Sequence, residues 1–227
     1  SNDFDGRFSL HLTPQSDWNV LANMELQNYS DNYAEFRKLD GLYRHPYDVS
    51  LNSNGLAEKH AGGGSIRAEK CFDGAKFVSV SAMRLENTRM EHDGDFTASD
   101  ISMKYSKKDF SLISQELRLS SDNDGPLRWL LGAYAFHEED NLSTWMIRHT
   151  SPLGTFTQEG DTLTNGIAGF ARASYTFWDK LTFTAGLRYD FEHKDYDYSW
   201  QGGSFMKIDD QTGSTDKGFE AWLPKFS

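Results

Sequence analysis

The sequence predicts an all-β protein: an antiparallel up-and-down meander of about eight or nine strands that forms part of a large transmembrane β-barrel. From Leu181 to Glu192, odd positions are apolar and even positions are polar or glycine. Successive side chains of a strand point to opposite faces, so this segment has one apolar and one polar face. Strands of soluble proteins usually have about five or six residues. A strand crossing a bilayer at a tilt needs roughly nine to eleven, which this segment supplies.

Further segments along the chain also read as strands. In the first of them Phe8, Leu10 and Leu12 share one face. Over residues 65–90 and 127–137 both faces carry polar and apolar residues, and the sequence does not decide which face would meet lipid. A last strand begins near Trp222. The predicted strands cover residues 4–13, 18–29, 65–72, 76–90, 110–121, 127–137, 167–177 and 181–192.

The connections between these strands alternate in length, and this alternation is the second observation behind the fold prediction. One set has about three to five residues and carries turn-forming Gly, Pro, Asn and Asp, as in residues 122–126. The other set is predicted as loops of about twenty to thirty residues near positions 31–61, 91–109, 138–163 and 196–218, and Gly62–Gly64 is expected to be flexible. Outer-membrane barrels have short turns at one end and long loops at the other.

Composition excludes several classes of function. The chain of 227 residues has 23 basic and 34 acidic residues, a net charge of -11, which argues against nucleic acid as a partner. Cys71 is the only cysteine, so the chain has no internal disulfide and no multi-cysteine metal site. Aromatic residues make up 14% of the chain, as suits strands and the aromatic girdles of membrane barrels. We expect one barrel segment over residues 1–227, without a signal peptide.

Several motifs carry a resemblance to a known family. Residues 114–119 (SQELRL) followed by 129–134 (WLLGAY) resemble paired strands of TonB-dependent outer-membrane receptors. Residues 169–175 with 181–189 (LTFTAGLRY) are similar to a hairpin of the same receptors. Leu223-Pro224-Lys225 looks like the start of their next strand, and residues 8–14 resemble an earlier element. The resemblance covers most of the chain and is closest to receptors for ferric siderophores.

The resemblance implies both a function and a set of partners. The parent protein would lie in the outer membrane of a Gram-negative bacterium and take up a scarce substrate, an iron–siderophore complex. Its barrel of about 22 strands would hold a plug domain that is pulled by TonB. This chain would supply barrel wall and extracellular loops; we identify no plug domain and no TonB box in it. The implied partners are outer-membrane lipid, the plug, TonB and a small iron chelate.

Charged residues on the polar faces of the predicted strands are the first candidate site. They would face the barrel lumen, and contact with the plug or with lumen water is a stronger expectation for them than contact with ligand. Exposed ion pairs of this kind contribute roughly 0–1 kcal/mol each, so their role is not primarily stability. The candidates are Glu116, Arg118, Arg172, Arg188 and Asp190.

Aromatic residues, arginine and histidine in the predicted long loops are the second candidate site. Aromatic rings and guanidinium groups suit a catechol or another planar anion. The predicted ligand contacts are Tyr43, Arg44, Tyr47, Trp145, Arg148, His149 and Trp200, and the same loops hold Tyr196 and Tyr198. A separate aromatic set, Tyr175, Phe177, Trp178 and Phe183, lies near the short-turn end and is predicted to form an interfacial girdle.

No catalytic, metal or cofactor site is predicted. The seven histidines have no recognised metal-binding spacing, and a siderophore brings its own iron ligands. Residues 122–125 (DNDG) resemble a calcium loop only superficially, since no carboxylate follows over positions 127–133. Ser, His and Asp occur without the sequence context of a nucleophile elbow. The chain is therefore not expected to be an enzyme.

Two alternatives remain open from the sequence. A soluble all-β binding module, such as a sandwich or a lipocalin-like barrel, would bury its apolar faces and make Leu117 and Leu187 inaccessible. A porin-type channel without a plug would share the membrane barrel but not the receptor mechanism. The alternatives differ in where the apolar faces lie and in whether a plug domain belongs to the parent protein.

Overall fold

The computed structural model describes residues 3–32, 51–149, 155–178, 180–202 and 209–227. The described residues form nine β-strands, within the predicted number. The strands are β1 (Phe4–Leu12), β2 (Trp18–Asp31), β3 (Leu56–Phe72), β4 (Ala75–Asp93), β5 (Ser102–Ser121), β6 (Leu127–Arg148), β7 (Thr155–Phe177), β8 (Leu181–Gln201) and β9 (Gln211–Phe226).

All nine strands belong to one sheet in which each strand pairs with the next along the chain, always antiparallel. The register joins Leu119 of β5 to Leu131 of β6, Leu131 to Ala171 of β7, and Ala171 to Leu187 of β8. Residues that pair directly point to the same face of a sheet. The predicted antiparallel meander is confirmed.

The register divides the sheet into two faces of different character. We call outer the face that carries Leu131, which comprises the even positions of β1–β3 and β9 and the odd positions of β4–β8. The inner face comprises the remaining positions. In β7, outer Ile167 is 59% exposed whereas inner Ala168 is 7% exposed. Large apolar side chains thus project from the outer face with no protein layer over them among the described residues.

The apolar part of the outer face is a band about as wide as a bilayer core. It runs from Leu181 to Phe191 in β8 and from Leu127 to Ala135 in β6, which is eleven and nine residues. At about 3.3 Å per residue and a tilt of about 40°, these lengths rise about 23–28 Å, which matches the apolar band of about 25 Å on outer-membrane barrels. The band ends at His137, Asn165 and His193, which pair in one row. The alternation therefore places lipid-compatible side chains along one continuous belt.

Polar residues inside the outer band satisfy one another. Gln115 of β5 donates a hydrogen bond to the Ser79 hydroxyl at 3.0 Å and accepts one from Ser81, both of β4. In hydrocarbon an unpaired amide or hydroxyl would cost several kcal/mol because no water is available. This local pairing lets three polar side chains lie on the face that is otherwise apolar.

The structure also assigns the faces that the sequence left open. Ile66, Met83 and Leu85 lie on the outer face and are at least half exposed, at 55%, 51% and 50%. Their neighbours Arg67 and Arg84 lie on the inner face. Residues 65–90 and 127–137 therefore have the same two-sided pattern as the other strands. The register between neighbouring strands shows this pattern, whereas the periodicity of each single strand did not.

The prediction of long loops near residues 91–109, 138–163 and 196–218 is wrong for most of these residues. The strands on that side extend well beyond the apolar band, so the three later connections contain only residues 94–101, 149–154 and 202–210. The predicted loop at residues 31–61 lies largely outside the described residues, and its ends belong to β2 and β3, since β2 ends at Asp31 and β3 begins at Leu56. Beyond the band the outer face becomes mostly polar, so the apolar positions that mark the wall no longer continue along the same face of each strand. The hydrogen-bond ladder to neighbouring strands continues there, and it needs no apolar face.

Gly62–Gly64 is part of β3, and the prediction of a flexible segment is wrong. All three glycines pair with residues of both β2 and β4. A Cβ atom on Gly63 would lie 3.0 Å from the Met83 carbonyl oxygen, so the neighbouring backbone leaves little room for a side chain. Pairing on both sides, which the sequence does not reveal, orders this segment.

The soluble alternative does not fit this arrangement. Leu117 and Leu187, which a soluble module would bury, are 41% and 46% exposed on the outer face. Within the described ranges, only Ala57, Val78, Met103 and Ala168 are buried apolar residues, too few for the core of a globular domain. The described residues include no helix with the length and apolar character needed to cross a membrane.

Candidate functional site

The five charged residues predicted to face the lumen come together on the inner face of β5–β8. Arg118 and Arg188 lie in one row of the register, with Gly132 and Phe170 between them. The next row towards the long-connection end holds Glu116 and Asp190, and Arg172 lies one row closer to the short turns. We call these five residues the inner charge cluster. Acidic and basic side chains occupy separate rows within it.

The ion pairs of this cluster join residues two apart on one strand, because such residues share a face. The Nε atom of Arg188 lies 2.9 and 2.8 Å from the two carboxylate oxygens of Asp190, and Nη2 lies 2.6 Å from Oδ1. Arg118 pairs with Glu116 in the same way. The Arg188 guanidinium also lies 5.5 Å from the centre of the Phe170 ring. Two of the three arginines are thus held in fixed orientations against the wall.

Aromatic rings next to the cluster lie across glycines of the adjacent strand. A Cβ atom on Gly132 would be 2.1 Å from Phe170 Cζ, and one on Gly166 would be 2.0 Å from Phe136 Cε1. Each ring therefore occupies the space that a side chain would fill. These glycine–aromatic pairs keep the rings flat against the wall, and the sequence analysis did not identify them because the pairing depends on register.

Replacing Gly132 with alanine should displace the Phe170 ring and separate it from Arg188. Overpacking of this kind costs roughly 1–3 kcal/mol. The matched control is Gly169→Ala, since a Cβ on Gly169 meets nothing within 4 Å. Urea unfolding of the vesicle-inserted full-length protein measures both free energies. Equal values for the two variants would contradict the seating of Phe170 on Gly132.

A second ionic network, which the sequence analysis missed, lies on the inner face of β2–β4. Arg84 contacts Glu25 at 2.9 Å and Glu86 at 3.3 Å, and Lys59 contacts Glu86 at 3.0 Å. It joins three strands, so only the tertiary register could identify it. The charges on this part of the wall are balanced within the wall itself.

The residues predicted as ligand contacts are not brought together into one site. Trp145 and Arg148 lie on β6 and Trp200 on β8, not in loops, and His149 directly follows β6. Trp145 lies on the outer face, stacked on Tyr105 with 5.4 Å between ring centres, whereas Arg148 and Trp200 lie on the inner face. Tyr43, Arg44 and Tyr47 fall outside the described residues.

Trp200 belongs to an aromatic column on the inner face of β8. Tyr196, Tyr198 and Trp200 alternate along the strand beyond the level of the apolar band. The rings of Tyr196 and Tyr198 stack with 5.9 Å between centres and 22° between planes. A Cβ on Gly213 would lie 2.6 Å from the Tyr198 ring, so this ring also covers a glycine of the next strand. We call these three residues the aromatic column.

The connections at the same end are tied together by carboxylates of residues 93–100. Asp93, which is 2% exposed, accepts hydrogen bonds from the backbone N–H of Asp95 and Phe96, both at 2.9 Å, and of Asn52 at 3.4 Å. Asp100 accepts one from the Asn52 side chain at 3.0 Å and lies 2.7 Å from Nδ1 of His149. This carboxylate hub links the ends of three connections.

Asp95 contributes a third carboxylate to the hub. Partial burial raises the pKa of Asp95, but hydrogen bonds from the Thr97 side chain and from the backbone of Ser102, Ile101 and Thr97 outweigh it, and the pKa lies below its ordinary value. A lowered carboxyl pKa stabilises the folded state above the ordinary pKa, and the contribution is lost as the pH falls through the lowered value. The Asp95 carboxylate therefore contributes to holding the hub at neutral pH, and this contribution is lost in acid.

The aromatic residues at the short-turn end, predicted to form a girdle, lie in one cluster. The Phe177 ring lies 4.6 Å from Tyr175, 5.8 Å from Trp178 and 5.8 Å from Phe183, measured between centres. Trp178, in the turn, is 83% exposed.

In the part of the chain that the structure describes, no three His, Cys, Asp or Glu side chains are placed to hold a metal ion.

Comparison with known proteins identifies the family of this chain. A family model described as "TonB dependent receptor-like, beta-barrel" matches residues 1–227. The chain belongs to the TonB-dependent receptor family. The resemblance noted in its strand motifs is thereby confirmed. Barrels of this family are outer-membrane proteins of Gram-negative bacteria, and the family consists of receptors and transporters, not enzymes. No curated protein sequence matches the chain.

Solved structures of receptors and transporters for ferric chelates share the fold of this chain. The ferric yersiniabactin uptake receptor FyuA from Yersinia pestis is 13% identical, with 99% of this chain and 34% of that chain covered and a TM-score of 0.80. The ferric citrate transporter FecA is 11% identical, with 98% and 32% covered and a TM-score of 0.65.

The ferric-catecholate import receptor Fiu from E. coli K12 is also similar, at 11% identity and a TM-score of 0.61, with 99% of this chain and 40% of that chain covered. At such identities the likeness establishes the fold alone. The chain spans about a third of the length of these receptors.

Proposed function

We propose that the chain forms the wall and the outward-facing rim of a receptor that takes up an iron chelate of the siderophore type across the outer membrane. The apolar band would meet lipid, and the long-connection end would lie outside the cell. The inner charge cluster would face a plug domain that TonB acts upon. The observation that supports a ligand-capturing rim is the aromatic column, which lies on the inner face where the strands extend beyond the band.

The chemistry of the rim favours a planar, anionic ligand. Stacked phenol and indole rings accept flat aromatic groups, and an arginine adds charge and directed hydrogen bonds. Trp200 and Arg148 both lie on the inner face at this end of the sheet, so they are the strongest candidates among the predicted contacts. Ferric catecholates and ferric hydroxycarboxylates have the required charge, and catecholates also have the flat rings.

Replacing Trp200 with alanine in the full-length protein should weaken binding of a ferric catecholate by about two- to thirteenfold, since one aromatic contact contributes about 0.5–1.5 kcal/mol. The control is Trp145→Ala, because Trp145 is of the same type and lies on the outer face at the same end. Calorimetry in detergent gives both affinities. Equal loss in the two variants would contradict a binding site on the inner face.

Growth on the iron chelate as sole iron source tests the transport step. A strain that depends on this receptor should lose growth when TonB is deleted. Growth that persists without TonB, together with free passage of small solutes, would favour the alternative of a plug-less porin-type channel. Binding of no ferric chelate at all would contradict the proposed substrate class while leaving the barrel assignment unaffected.

A further inference from the structure

One charged residue, Lys70, lies on the outer face near the short turns. From the short turns up to the row of His137, the other outer positions of β1–β8 in the described chain carry no Asp, Glu, Lys or Arg. Lys70 lies two residues before the end of β3. A lysine on the lipid face costs least close to the membrane surface. Lys70 therefore marks the level at which hydrocarbon meets headgroups at the short-turn end.

Aromatic rings surround the Lys70 ammonium on the outer face. The Nζ atom lies 4.8 Å from the centre of the Trp18 ring and 5.5 Å from the centre of the Phe72 ring. Phe77 of β4 pairs directly with Lys70 from the other side. The face of an aromatic ring attracts a cation, and such rings are typical of the membrane interface. The rings thus hold the charge at the surface that lipid covers.

Asp17 places the opposite charge next to Lys70. Its Oδ2 atom lies 3.5 Å from Lys70 Nζ, and the two side chains are 39% and 30% exposed. The Asp17 carbonyl oxygen accepts a hydrogen bond from the Cys71 N–H at 2.9 Å, which fixes the turn that carries Asp17 to the end of β3. An ammonium has three donors and a carboxylate several acceptor sites, so one ion pair leaves bonding capacity on both groups. A neighbouring molecule meets a cation and an anion side by side.

An apolar groove lies deeper in the band on the same face. It has a volume of about 560 Å³, and its floor is the backbone of Gly62 and Gly64 in β3. It begins at Ile66, four residues from Lys70, which is about 10 Å along the membrane normal at a strand tilt of about 40°. One leaflet contributes about 15 Å of hydrocarbon, so an acyl chain whose headgroup lies beside Lys70 reaches this groove. The walls of the groove are formed by Met24, Leu26, Ile66, Met83 and Leu85.

Ser79 lies between the charge pair and the groove. It is one same-face step from Phe77 along β4, which places it roughly 6–7 Å deeper than the row of Lys70. Its hydroxyl accepts a hydrogen bond from Gln115, and its own proton has no acceptor among the described residues. In a phospholipid an ester carbonyl, which only accepts, lies between the phosphate and the acyl chain. The order of charge pair, hydroxyl and groove matches the order of these lipid groups.

We propose that this surface binds one phospholipid of the leaflet at the short-turn end. Its phosphate is bonded to Lys70, its primary ammonium to Asp17, and one acyl chain lies in the groove over Gly62 and Gly64. The charge pair selects the headgroup, because Asp17 repels a headgroup with a net negative charge, and a quaternary ammonium has no N–H to donate to the carboxylate. A phosphoethanolamine headgroup satisfies both groups. The inference rests on one part of the proposed function, contact of the apolar band with lipid, and it does not depend on a plug or on the substrate.

Lipid competition measures the headgroup preference. The full-length receptor is reconstituted in vesicles with equal parts of phosphatidylethanolamine, phosphatidylglycerol and phosphatidylcholine that have identical acyl chains, and native mass spectrometry identifies the lipid that it retains. We expect one retained phosphatidylethanolamine. Lys70→Gln should lower this retention at least about fivefold, because it removes a charge-assisted hydrogen bond to phosphate.

The matched control for this change is Lys76→Gln. Lys76 is a lysine at the same end of the sheet, but it lies on the inner face, paired with Cys71. Lipid retention in Lys76→Gln should equal that of the wild type. Equal retention of the three lipids by the wild type, or an equal loss in the two lysine variants, would overturn the proposal.

Asp17→Asn tests the ammonium contact separately. Without the carboxylate charge, phosphatidylglycerol is no longer repelled and phosphatidylethanolamine loses one ionic contact. The ratio of the two retained lipids should therefore shift towards phosphatidylglycerol by at least about fivefold. An unchanged ratio would mean that Asp17 does not contact the headgroup, and the proposed selectivity would fail.

Ala22→Phe tests the acyl-chain groove. Ala22 lines the groove on the outer face of β2, and phenylalanine there fills space without adding a polar group. A phosphatidylethanolamine with a diazirine near the end of its acyl chain should crosslink to the peptide that contains Gly62–Gly64. Ala22→Phe should lose most of this crosslink. The control Ala171→Phe, on the outer face of β7 and outside the groove, should keep it.

The distribution of crosslinks distinguishes a site from surrounding lipid. Crosslinks spread evenly over the outer face would identify ordinary bilayer lipid, and protection of the groove by another protein would identify a protein interface. Either result would overturn the proposal. The tests of the proposed function use Trp200 and TonB, so failure of substrate uptake and failure of lipid binding are distinguishable.

Discussion

Replacing Leu131 with arginine should destabilise the membrane-inserted protein by about 2–4 kcal/mol, the cost of arginine at the bilayer midplane on a barrel's lipid face. Leu131 lies in the middle of the apolar band of β6 and is 51% exposed on the outer face. No water or acidic group is available there to a guanidinium. Urea unfolding in phospholipid vesicles gives the free energy.

Leu130→Arg is the matched control for this change. Leu130 is the same residue type at the adjacent position, but it lies on the inner face opposite Arg172 of β7. Arginine there would meet lumen water, and the expected cost, mainly repulsion from Arg172, is below about 1 kcal/mol. If Leu130→Arg costs as much as Leu131→Arg, the sheet does not separate lipid from water and the membrane assignment is contradicted.

Replacing Asp93 with alanine should open the carboxylate hub at the long-connection end. The change removes the acceptor of three backbone N–H groups in a site where Asp93 is 2% exposed. Hydrogen bonds to a charged group contribute about 1.5–3 kcal/mol each, but water can replace some of them once the loop opens, so we expect a net loss of about 2–4 kcal/mol. Hydrogen exchange of the Asp95 and Phe96 amides measures the opening.

The backbone of Phe96 adds to this effect. Phe96 has a φ of 57°, in the left-handed region, which a residue other than glycine adopts only when its surroundings hold it there. Its N–H bond to Asp93 is one of the holding contacts. Without that contact the residue should return to the ordinary region, and residues 94–101 should lose their present conformation.

Two further variants make the Asp93 experiment specific. Asp93→Asn keeps an acceptor oxygen without the charge, so its exchange rates should lie between those of the wild type and of Asp93→Ala. Asp124→Ala changes an exposed aspartate in the turn at the opposite end of the sheet. It should leave the hydrogen-exchange rates of the Asp95 and Phe96 amides unchanged. If the Asp95 and Phe96 amides exchange as slowly in Asp93→Ala as in the wild type, the Asp93 carboxylate does not hold residues 94–101 in place.

Sequence periodicity predicted the fold wherever a strand separates lipid from water. In the segment Leu181–Phe191 this contrast imposes strict alternation, and the strand, its faces and its role as membrane wall all followed. The placement of Glu116, Arg118, Arg172, Arg188 and Asp190 on one face followed from the same rule. Beyond the band, the aromatic residues Tyr196, Tyr198 and Trp200 of β8 lie at even positions, out of phase with the apolar positions of the band, so the continuation of the strand to Gln201 was not predicted.

The candidate ligand residues were less predictable, because residue type alone does not fix a face. Trp145 and Trp200 are chemically equivalent in the sequence, yet the register places them on opposite sides of the sheet. The glycine–aromatic pairs, such as Gly132 with Phe170, join residues 38 positions apart on neighbouring strands. The hub around Asp93 likewise depends on three connections meeting in space.

The sequence by itself determined the two-sided strands, their antiparallel order and the family, because each is encoded in residues close along the chain. The tertiary structure decided how far the strands extend and which charges are paired. These properties depend on cross-strand register, and register brings together residues from segments that have no local signal in common. Lipid on one face constrains each strand separately, whereas the chemistry of the inner face arises only when neighbouring strands are aligned.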